Sequence, residues 1–318
     1  MACPAPPTSR KGNRVTATRW ATLLESLGHT VTIAEEYDGG PYDLLIALHA
    51  RKSHAAVQRF HRLHPDKPLV VALTGTDLYR DVHTSRSAQQ SLEWADLLIV
   101  LQPLGRDELP AHLRWKVRVI VQSAVPTVPR PKKSERTFDV CVLGHLRAEK
   151  DPFRAALALG YVPEDSAIRI IHAGQAMSPE IAKRAKLLMR REPRYRWLGE
   201  VTNRKARAIL AKSRLLVVSS RIEGGANVVS EALADQVPVI ASLIPGNVGL
   251  LGPDYPGYFP VGDARALAKL LIQAETDRAF YERLARRFAG GPREVSPARE
   301  REAWASVLHE FVEIPRVS

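Results

Sequence analysis

The chain has 318 residues, of which 45% are hydrophobic and 25% are charged, and this ordinary composition excludes a short peptide, a wholly disordered chain and a disulfide-stapled miniature domain. The formal net charge of +12 favours an anionic partner but does not choose among nucleic acid, a membrane surface and a phosphorylated small molecule. The two cysteines, Cys3 and Cys141, give neither a disulfide framework nor a zinc-binding spacing. The first residues lack the apolar core of a signal peptide, and no apolar run approaches the ~20 residues of a membrane span, so we expect a cytoplasmic protein.

The first part of the chain alternates helical and strand patterns. Apolar residues at helical spacing predict a helix over residues 15–27, and Gly28 follows where a helix commonly ends. Short, continuously apolar strands then alternate with helices, which is typical of a parallel sheet covered on both faces. The predicted strands are 31–34, 42–48, 69–73, 96–101 and 117–121, and the predicted helices between them are 53–63 and 86–95.

A second alternation follows a proline-rich, polar stretch over residues 126–134, which is the best linker candidate. The pattern as a whole predicts an α/β protein with two Rossmann-like, doubly wound parallel-sheet lobes facing a central cleft. We expect the lobes over residues 1–130 and 131–296, and a carboxyl-terminal helix within 297–318 of the kind that two-lobed enzymes often return to the first lobe. The predicted strands of this part are 138–143, 167–173, 195–198, 215–219 and 237–241, and its predicted helices are 152–159, 179–191, 203–211, 227–234 and 297–311.

The start of the chain departs from this pattern. A doubly wound lobe normally opens with an apolar strand, yet the chain reaches a polar loop over residues 4–13 without one. Two explanations are open: the strand is reduced to residues 2–3, or the start codon is assigned too late.

The most informative loop follows the predicted strand 215–219. It reads Glu223-Gly224-Gly225-Ala226-Asn227 and leads into a helix with Glu231 near its start. Glycines at a helix N-terminus allow backbone N–H groups to approach an anion, and carboxylates accept hydrogen bonds from hydroxyl groups. The combination indicates a ligand that is both phosphate and polyol, such as a nucleotide-sugar. The competing interpretation is a tight turn followed by solvated glutamates.

Further loops follow strands of the same predicted lobe, where parallel sheets bind ligands. After strand 138–143, the side chains of His145, Arg147 and Lys150 stand near a glycine, as a diphosphate requires. Solvated surface charge is the alternative for these residues. The loops at Gly174 and Leu198 also follow strands and are suited to hold a base through backbone contacts.

Three loops of the first predicted lobe favour a small, charged acceptor. Residues 9–14 form a basic, glycine-containing turn before a helix, which is a typical anion nest. Arg51 and Lys52 follow a buried strand, and residues 74–76 offer hydroxyl and backbone donors at the end of the next strand. His49 and Asp77 are candidates for orienting the acceptor or the sugar. Scattered surface charge and a packing role are the respective alternatives.

The second predicted lobe resembles the donor lobe of the family 4 glycosyltransferases, which have the two-lobed GT-B fold. The family signature is a glutamate, seven residues and a second glutamate, and Glu223 and Glu231 fit it, as do residues 237–241 and Gly246 downstream. The resemblance implies that Glu223 and the backbone after Gly224 hold the sugar, that Glu231 holds the ribose, and that Lys150 holds the diphosphate. This chain has His145 where the family usually has an arginine, and Arg147 is expected to supply the missing charge.

The first predicted lobe narrows the resemblance. Residues 4–7, 12–17, 19–20, 48–53 and 73–79, together with 144–147 and 150–152, resemble the selenosugar synthases of selenoneine biosynthesis, which join selenophosphate to the sugar of a UDP-sugar. The resemblance implies transfer of a hexose from UDP-glucose or UDP-N-acetylglucosamine to selenophosphate, with the UDP-sugar as co-substrate and with neither cofactor nor metal. Nucleic acid binding and stable membrane association are not expected.

The expected site residues form three groups, and Glu223 belongs to two of them. The expected catalytic residues are Glu223, His49 and Asp77. The expected donor-binding residues are His145, Arg147, Lys150, Gly174, Leu198, Glu223, Gly224, Gly225, Ala226, Asn227, Val228 and Glu231. The expected acceptor-binding residues are Lys11, Gly12, Asn13, Arg14, Arg51, Lys52, Thr74, Gly75 and Thr76.

Three other functions compete with this interpretation. The nearest is a family 4 glycosyltransferase that acts on a hydroxyl group of a small molecule or a lipid. A nicotinamide-dependent oxidoreductase is disfavoured because no Gly-x-Gly-x-x-Gly follows a first strand. A nucleic-acid binder would need its surplus positive charge clustered in one stripe, whereas here the surplus is spread over residues 1–130 and 131–318. Aromatic residues also make up only 6% of the chain.

Overall fold

The computed structural model describes residues 1–9, 12–289 and 295–313. The chain forms two compact units. Unit 1 contains Met1–Ser123, the segment Glu223–Asn227 and the carboxyl-terminal helix, and unit 2 contains Ala124–Ile222 and the described residues from Val228 to Ala289. Each unit is built on its own parallel sheet.

Unit 1 has a sheet of four parallel strands in chain order, β1-β2-β3-β4. The strands are β1 (Leu45–Leu48), β2 (Leu69–Leu73), β3 (Leu97–Val100) and β4 (Val117–Val119). The helices are α1 (Gly12–Glu25), α2 (His54–Leu63), α3 (Val82–Thr84) and α4 (Arg86–Trp94), with a π-helical turn over Asp77–Asp81 and 3-10 turns over Pro103–Arg106 and Ala111–Lys116.

Ala2 is the residue through which the start of the chain pairs with the rest of unit 1. Ala2 pairs in parallel with both Ala34 and Ala47, and its N–H donates to Ile46 O at 2.8 Å. The predicted strand 31–34 is wrong for residues 31–33, because Ala34 is the one residue of this range that forms a bridge, with Ala2. The predicted strand 42–48 begins only at Leu45, the first residue to pair with β2.

Unit 2 has a sheet of six parallel strands in the order β10-β9-β8-β5-β6-β7. The strands are β5 (Phe138–Leu143), β6 (Ile168–Ala173), β7 (Tyr195–Trp197), β8 (Leu215–Val218), β9 (Val239–Ser242) and β10 (Tyr258–Phe259). The helices are α5 (Arg154–Ala158), α6 (Pro179–Arg191), α7 (Asn203–Lys212), α8 (Asn227–Asp235), α9 (Pro245–Leu251), α10 (Ala264–Thr276) and α11 (Arg278–Ala289), with 3-10 turns over Ala148–Lys150 and Leu159–Tyr161.

The strand order of unit 2 reverses between β5 and β8. The chain builds β6 and β7 on one side of β5 and then returns to build β8, β9 and β10 on the other side. Open parallel sheets bind ligands at such a switch point, outside the carboxyl ends of the strands. The loops after β5 and β8 therefore meet where a ligand is expected.

The last helix, α12 (Pro297–Glu313), packs within unit 1. Its Trp304 ring meets the Trp20 ring of α1 edge to face, with centroids 4.8 Å apart, and both side chains are fully buried. Alternate residues of β2 point to opposite faces of the sheet, so Val70 lies in the cluster with α1 and α12 while Val71 packs on the other face. In the described part of the chain, every helix is too short or too polar to cross a bilayer.

Candidate functional site

The loops after β5 and β8 are tied together at the switch point of unit 2. The Ser219 hydroxyl contacts the carbonyl oxygens of Lys150 and Asp151 at 3.1 and 3.0 Å, and the Arg221 N–H donates to Glu149 O at 2.8 Å. Asp151 has a left-handed backbone, with φ of 42°, where the chain turns from the 3-10 turn toward α5. These contacts fix the backbone of Lys150 beside the loop that leads to Glu223.

The loops after β5 and β6 touch each other through their glycines. A Cβ atom on Gly174 would overlap the carbonyl group of Gly144 and lie 2.9 Å from the His145 nitrogen, so only glycine fits there. The Gly174 N–H donates to Gly199 O at 2.8 Å, and its carbonyl accepts from the Trp197 indole N–H at 2.9 Å. The structure thus brings together the predicted donor residues of the loops after β5, β6 and β7.

A buried histidine supports this loop cluster. His172 Nδ1 lies 3.0 Å from the Tyr195 hydroxyl, and Nε2 lies 3.3 Å from Gly144 O. Burial lowers the pKa of His172 to about 4, against the opposing effect of the Gly144 carbonyl, so the ring is neutral at pH 7. A neutral ring satisfies both contacts when Nε2–H donates to Gly144 and Nδ1 accepts from Tyr195.

The buried ring makes unit 2 sensitive to acid. The unfolded imidazole binds a proton near pH 6.5, whereas the folded pKa is about 4. The unfolded state therefore binds more protons in this window, and the free energy of unfolding should fall by about 2 kcal/mol between pH 6.5 and 4.5 from this group alone. Urea unfolding of wild type and His172→Gln at both pH values measures the contribution as the difference between their pH dependences. The exposed His29→Gln serves as the control, and equal pH dependence in wild type and His172→Gln would contradict the assignment.

Helix α8 carries the second glutamate of the predicted pair. Glu231 lies one turn after Asn227, the first residue of α8, and is half-buried, as is Val228. Arg147 is exposed just before the 3-10 turn that contains Lys150.

The segment Glu223–Asn227 packs within unit 1. A Cβ atom on Gly224 would lie 2.7 Å from the Gly75 nitrogen, and one on Gly225 would lie 2.5 Å from Leu101 Cβ. Both positions require glycine, because backbone atoms lie too close at Gly224 and the Leu101 Cβ atom lies too close at Gly225. Glu223 is only 8% exposed. The segment predicted to bind the donor is therefore in contact with the loop predicted to bind the acceptor.

Asp77 organises the strand ends of unit 1. Its fully buried carboxylate accepts hydrogen bonds from the N–H groups of Gly75 at 2.8 Å, Thr74 at 3.1 Å and Ala50 at 3.1 Å. These two N–H groups therefore already have an acceptor in Asp77, and a role of Thr74 and Gly75 in binding the acceptor substrate stays a prediction. A buried carboxylate needs such donors and takes them from two neighbouring strand ends.

His49 lies in the same cluster with an unusual backbone. Its φ is 75°, and the residue is 3% exposed. The ring lies 3.3 Å from the Thr76 hydroxyl, 3.8 Å from the Asp77 carboxylate and 3.9 Å from that of Asp81. Burial lowers the pKa of His49, outweighing the opposite effect of Asp77, so the imidazole is neutral at pH 7. A non-glycine residue held in this conformation is typical of a functional site.

Arg51 is oriented by a carboxylate that the sequence prediction missed. Its Nε donates to Asp81 at 2.8 Å, while the side chain is 42% exposed. Burial alone would raise the pKa of the Asp81 carboxyl, but the hydrogen bonds and charges of Arg51 and Arg80 hold that pKa below its usual range. The sequence feature that could have indicated Asp81 is its i, i+4 spacing from Asp77, which puts both carboxylates on one helical face. Lys52 is exposed beside this pair.

The other predicted acceptor residues lie at the start of α1. Gly12 and Asn13 open the helix, and Arg14 follows them, with its Nη1 atom buried. Lys11 lies outside the described residues. Within the described ranges, no three His, Cys, Asp or Glu side chains are grouped as a metal site would need.

Residues 127–289, just over half of the chain, match the protein family described as Glycosyl transferases group 1. The fold is similar to that of Anabaena Alr3699/HepE in complex with UDP and glucose, with a TM-score of 0.71 and 18% identity over 91% of this chain and 89% of that chain. The same protein in complex with UDP-glucose gives a TM-score of 0.70 and 18% identity over 92% and 89%. Sucrose-phosphate synthase from Thermosynechococcus elongatus gives a TM-score of 0.63 and 18% identity over 85% of this chain and 74% of that chain. At this low identity the likeness shows the fold alone, and the predicted GT-B class with two parallel-sheet lobes is confirmed.

Proposed function

The chain belongs to the group 1 glycosyltransferases, and from this premise we propose that it transfers a hexose from a UDP-sugar to selenophosphate. The observation that supports a UDP-sugar donor is the switch point between β5 and β8. There, the Lys150 carbonyl is hydrogen-bonded to Ser219, in the loop that leads to Glu223. Alr3699/HepE, which shares the fold, binds UDP and UDP-glucose. UDP-glucose or UDP-N-acetylglucosamine is the proposed donor.

The proposed donor contacts follow from the chemistry of each group. Lys150 and Arg147 neutralise the diphosphate, and the backbone N–H groups that follow Gly224 add hydrogen bonds to it. Glu223 accepts hydrogen bonds from sugar hydroxyls, and Glu231 accepts them from the ribose. The base is held by the backbone of the loops that contain Gly174 and Leu198, with His145 beside them.

The proposed acceptor contacts come from cationic side chains at the strand ends of unit 1. Arg51 is held in one orientation by Asp81 and yet is 42% exposed, so its guanidinium is preorganised for an anion. Exposed Lys52 follows it, and Arg14 and the Thr76 hydroxyl complete the proposed acceptor set. A doubly charged, compact anion such as selenophosphate suits this set better than an apolar acceptor does.

The proposed reaction is a single displacement. The selenium of selenophosphate forms a bond to the anomeric carbon, while the bond from that carbon to the diphosphate oxygen breaks and UDP leaves with the electron pair. The immediate product is a sugar joined through selenium to a phosphoryl group, and transfer of that group to water frees the selenosugar. Selenium is already ionised in the acceptor, so the enzyme mainly has to hold two anions near each other and stabilise the departing UDP.

Transfer to a hydroxyl group is the second candidate, and His49 favours it. A hydroxyl acceptor has to lose a proton, and the neutral imidazole of His49 lies within 4 Å of two carboxylates that would stabilise its protonated form.

A direct assay separates the two candidates. The protein is incubated without oxygen with UDP-glucose or UDP-N-acetylglucosamine and with either selenophosphate or a panel of alcohols, and UDP release is followed. We expect rapid release with selenophosphate and a product of the corresponding mass. Release with an alcohol but not with selenophosphate would favour the second candidate, and the preferred UDP-sugar identifies the donor.

Arg51→Ala tests the proposed acceptor site. Loss of a positioned guanidinium should raise the KM for selenophosphate about tenfold or more and leave the KM for the UDP-sugar within about threefold. Arg62→Ala, an exposed arginine on α2, is the matched control and should behave as wild type. Unchanged acceptor KM and turnover in Arg51→Ala would mean that selenophosphate binds elsewhere.

A further inference from the structure

The carboxyl-terminal helix carries a buried charge. Glu300 of α12 is 1% exposed, and its carboxylate accepts hydrogen bonds from the Trp20 indole N–H at 2.7 Å and the Ser123 N–H at 2.8 Å. Arg19 of α1 neutralises the charge, with Nε 3.1 Å from the carboxylate. If either charge were removed, the other would remain buried without a partner of opposite charge, which is unfavourable. This cost keeps the two side chains paired.

Arg19 continues from Glu300 to the segment Glu223–Asn227. Its Nη1 donates to Asn227 Oδ1 at 3.1 Å, and its Nη2 donates at 2.9 Å to the Gln122 amide oxygen, with that amide oriented to satisfy its neighbours. All three nitrogens of the guanidinium are thus used. The buried Gln122 amide nitrogen in turn donates to Asn227 Oδ1 at 2.8 Å and to Gly225 O at 3.1 Å.

The contact with Gln122 sets the direction of one peptide in the segment. In a trans peptide the carbonyl and the following N–H point in opposite directions, so the Ala226 N–H points away from Gln122. Gly224 and Gly225 have no side chains of their own to restrict the backbone. The hydrogen bonds from Gln122 and Arg19 therefore supply the order that these glycines lack.

We propose that Arg19 is a positioning residue, which, with Glu300 and Gln122, holds the Gly225–Ala226 peptide and Asn227 in the arrangement that binds the donor diphosphate. This inference rests on the proposed donor function of the segment. If the segment is already ordered before the donor binds, the donor does not lose binding free energy in ordering it. The hydrogen-bond network of Arg19, Glu300 and Gln122 should therefore change the affinity for the donor more than the rate of the chemical step.

The dissociation constant for UDP tests this role. We expect Glu300→Gln, which keeps the side-chain shape but removes the charge facing Arg19, to raise Kd for UDP about tenfold. Glu310→Gln is the matched control, since Glu310 is on the same helix and pairs with Arg118 of β4 through bonds of 2.7 and 2.6 Å. We expect Glu310→Gln to keep the wild-type Kd. In turnover, Glu300→Gln should raise the donor KM and leave kcat within about threefold.

A second variant keeps the test decisive if Glu300→Gln does not fold. Asn227→Ala removes the side-chain oxygen that accepts the hydrogen bond from Arg19, and it leaves the Arg19–Glu300 pair and its Trp20 contact in place. We therefore expect this variant to fold and to raise Kd for UDP similarly. Failure of wild type to bind UDP would contradict the proposed function. Wild-type binding with an equal Kd in Asn227→Ala, or an equal rise in Glu310→Gln, would overturn the positioning role alone.

Discussion

Lys150→Ala is expected to lower kcat/KM for the UDP-sugar by about a hundredfold to a thousandfold. This is the typical effect of removing one hydrogen-bonding group that stabilises negative charge in the transition state. Lys150 ends the 3-10 turn after β5, and its carbonyl is bonded to the Ser219 hydroxyl, so the ammonium group starts from a fixed backbone. Its proposed partner is the oxygen that carries the charge as UDP leaves. Steady-state kinetics with varied UDP-sugar measures the effect.

Lys212→Ala provides the control for this substitution, because Lys212 is an exposed lysine at the end of α7 in the same unit. It should match wild type in both kcat/KM and melting temperature. Lys150→Arg should recover part of the rate, since it keeps the charge but changes its geometry. A kcat/KM for Lys150→Ala within about threefold of wild type would remove Lys150 from the proposed donor site.

Gly174→Ala is expected to destabilise unit 2 by about 3 kcal/mol or more and to abolish donor binding. The added methyl group would overlap the Gly144 carbonyl, which is backbone and has no free rotation by which to move aside. Relief of the overlap requires that the loops after β5 and β6 separate, and His145 moves with them. Scanning calorimetry reports the loss of stability, and UDP titration reports the loss of binding.

Gly160→Ala is the matched control in the same unit. A Cβ atom there would meet nothing within 4 Å, and the backbone is not in the left-handed region. Its melting temperature should therefore equal that of wild type or rise slightly. A Gly174→Ala protein as stable as this control would mean that the two loops do not meet as described.

The sequence predicted those elements whose ends carry their own local signals. Strand β2 matches its predicted bounds because Pro68 and Thr74 enclose five apolar residues. Helix α6 also matches, because the Ser178 side chain accepts from the Ile181 N–H and a proline opens the first turn. Helix α10 was missed although Asp263 caps it in the same way. Strand β10 has only two residues and offers no periodicity to detect.

The candidate site was predictable where it consists of loops after strands and was not where it depends on distant partners. The strand pattern puts Lys150 and Gly224 in loops after predicted strands, whereas the sheet order of the structure shows that these strands, β5 and β8, are neighbours. The Asp77 carboxylate takes the N–H groups that seemed available to a ligand, and only the folded backbone shows this. Arg19 and Glu300 are 281 residues apart, and no pattern in the sequence pairs a particular arginine with a particular glutamate over such a distance.

The hydrogen bond from the Trp197 indole to the Gly174 carbonyl gives unit 2 an intrinsic optical probe. Trp197 is one of five tryptophans in the chain and the sole one between residues 124 and 293. Indole emission responds to the polarity and hydrogen bonding of its surroundings, and this indole is bonded to a loop that is proposed to hold the nucleotide base. Its fluorescence should therefore change as UDP is added, so the affinities discussed above can be measured on the unlabelled protein.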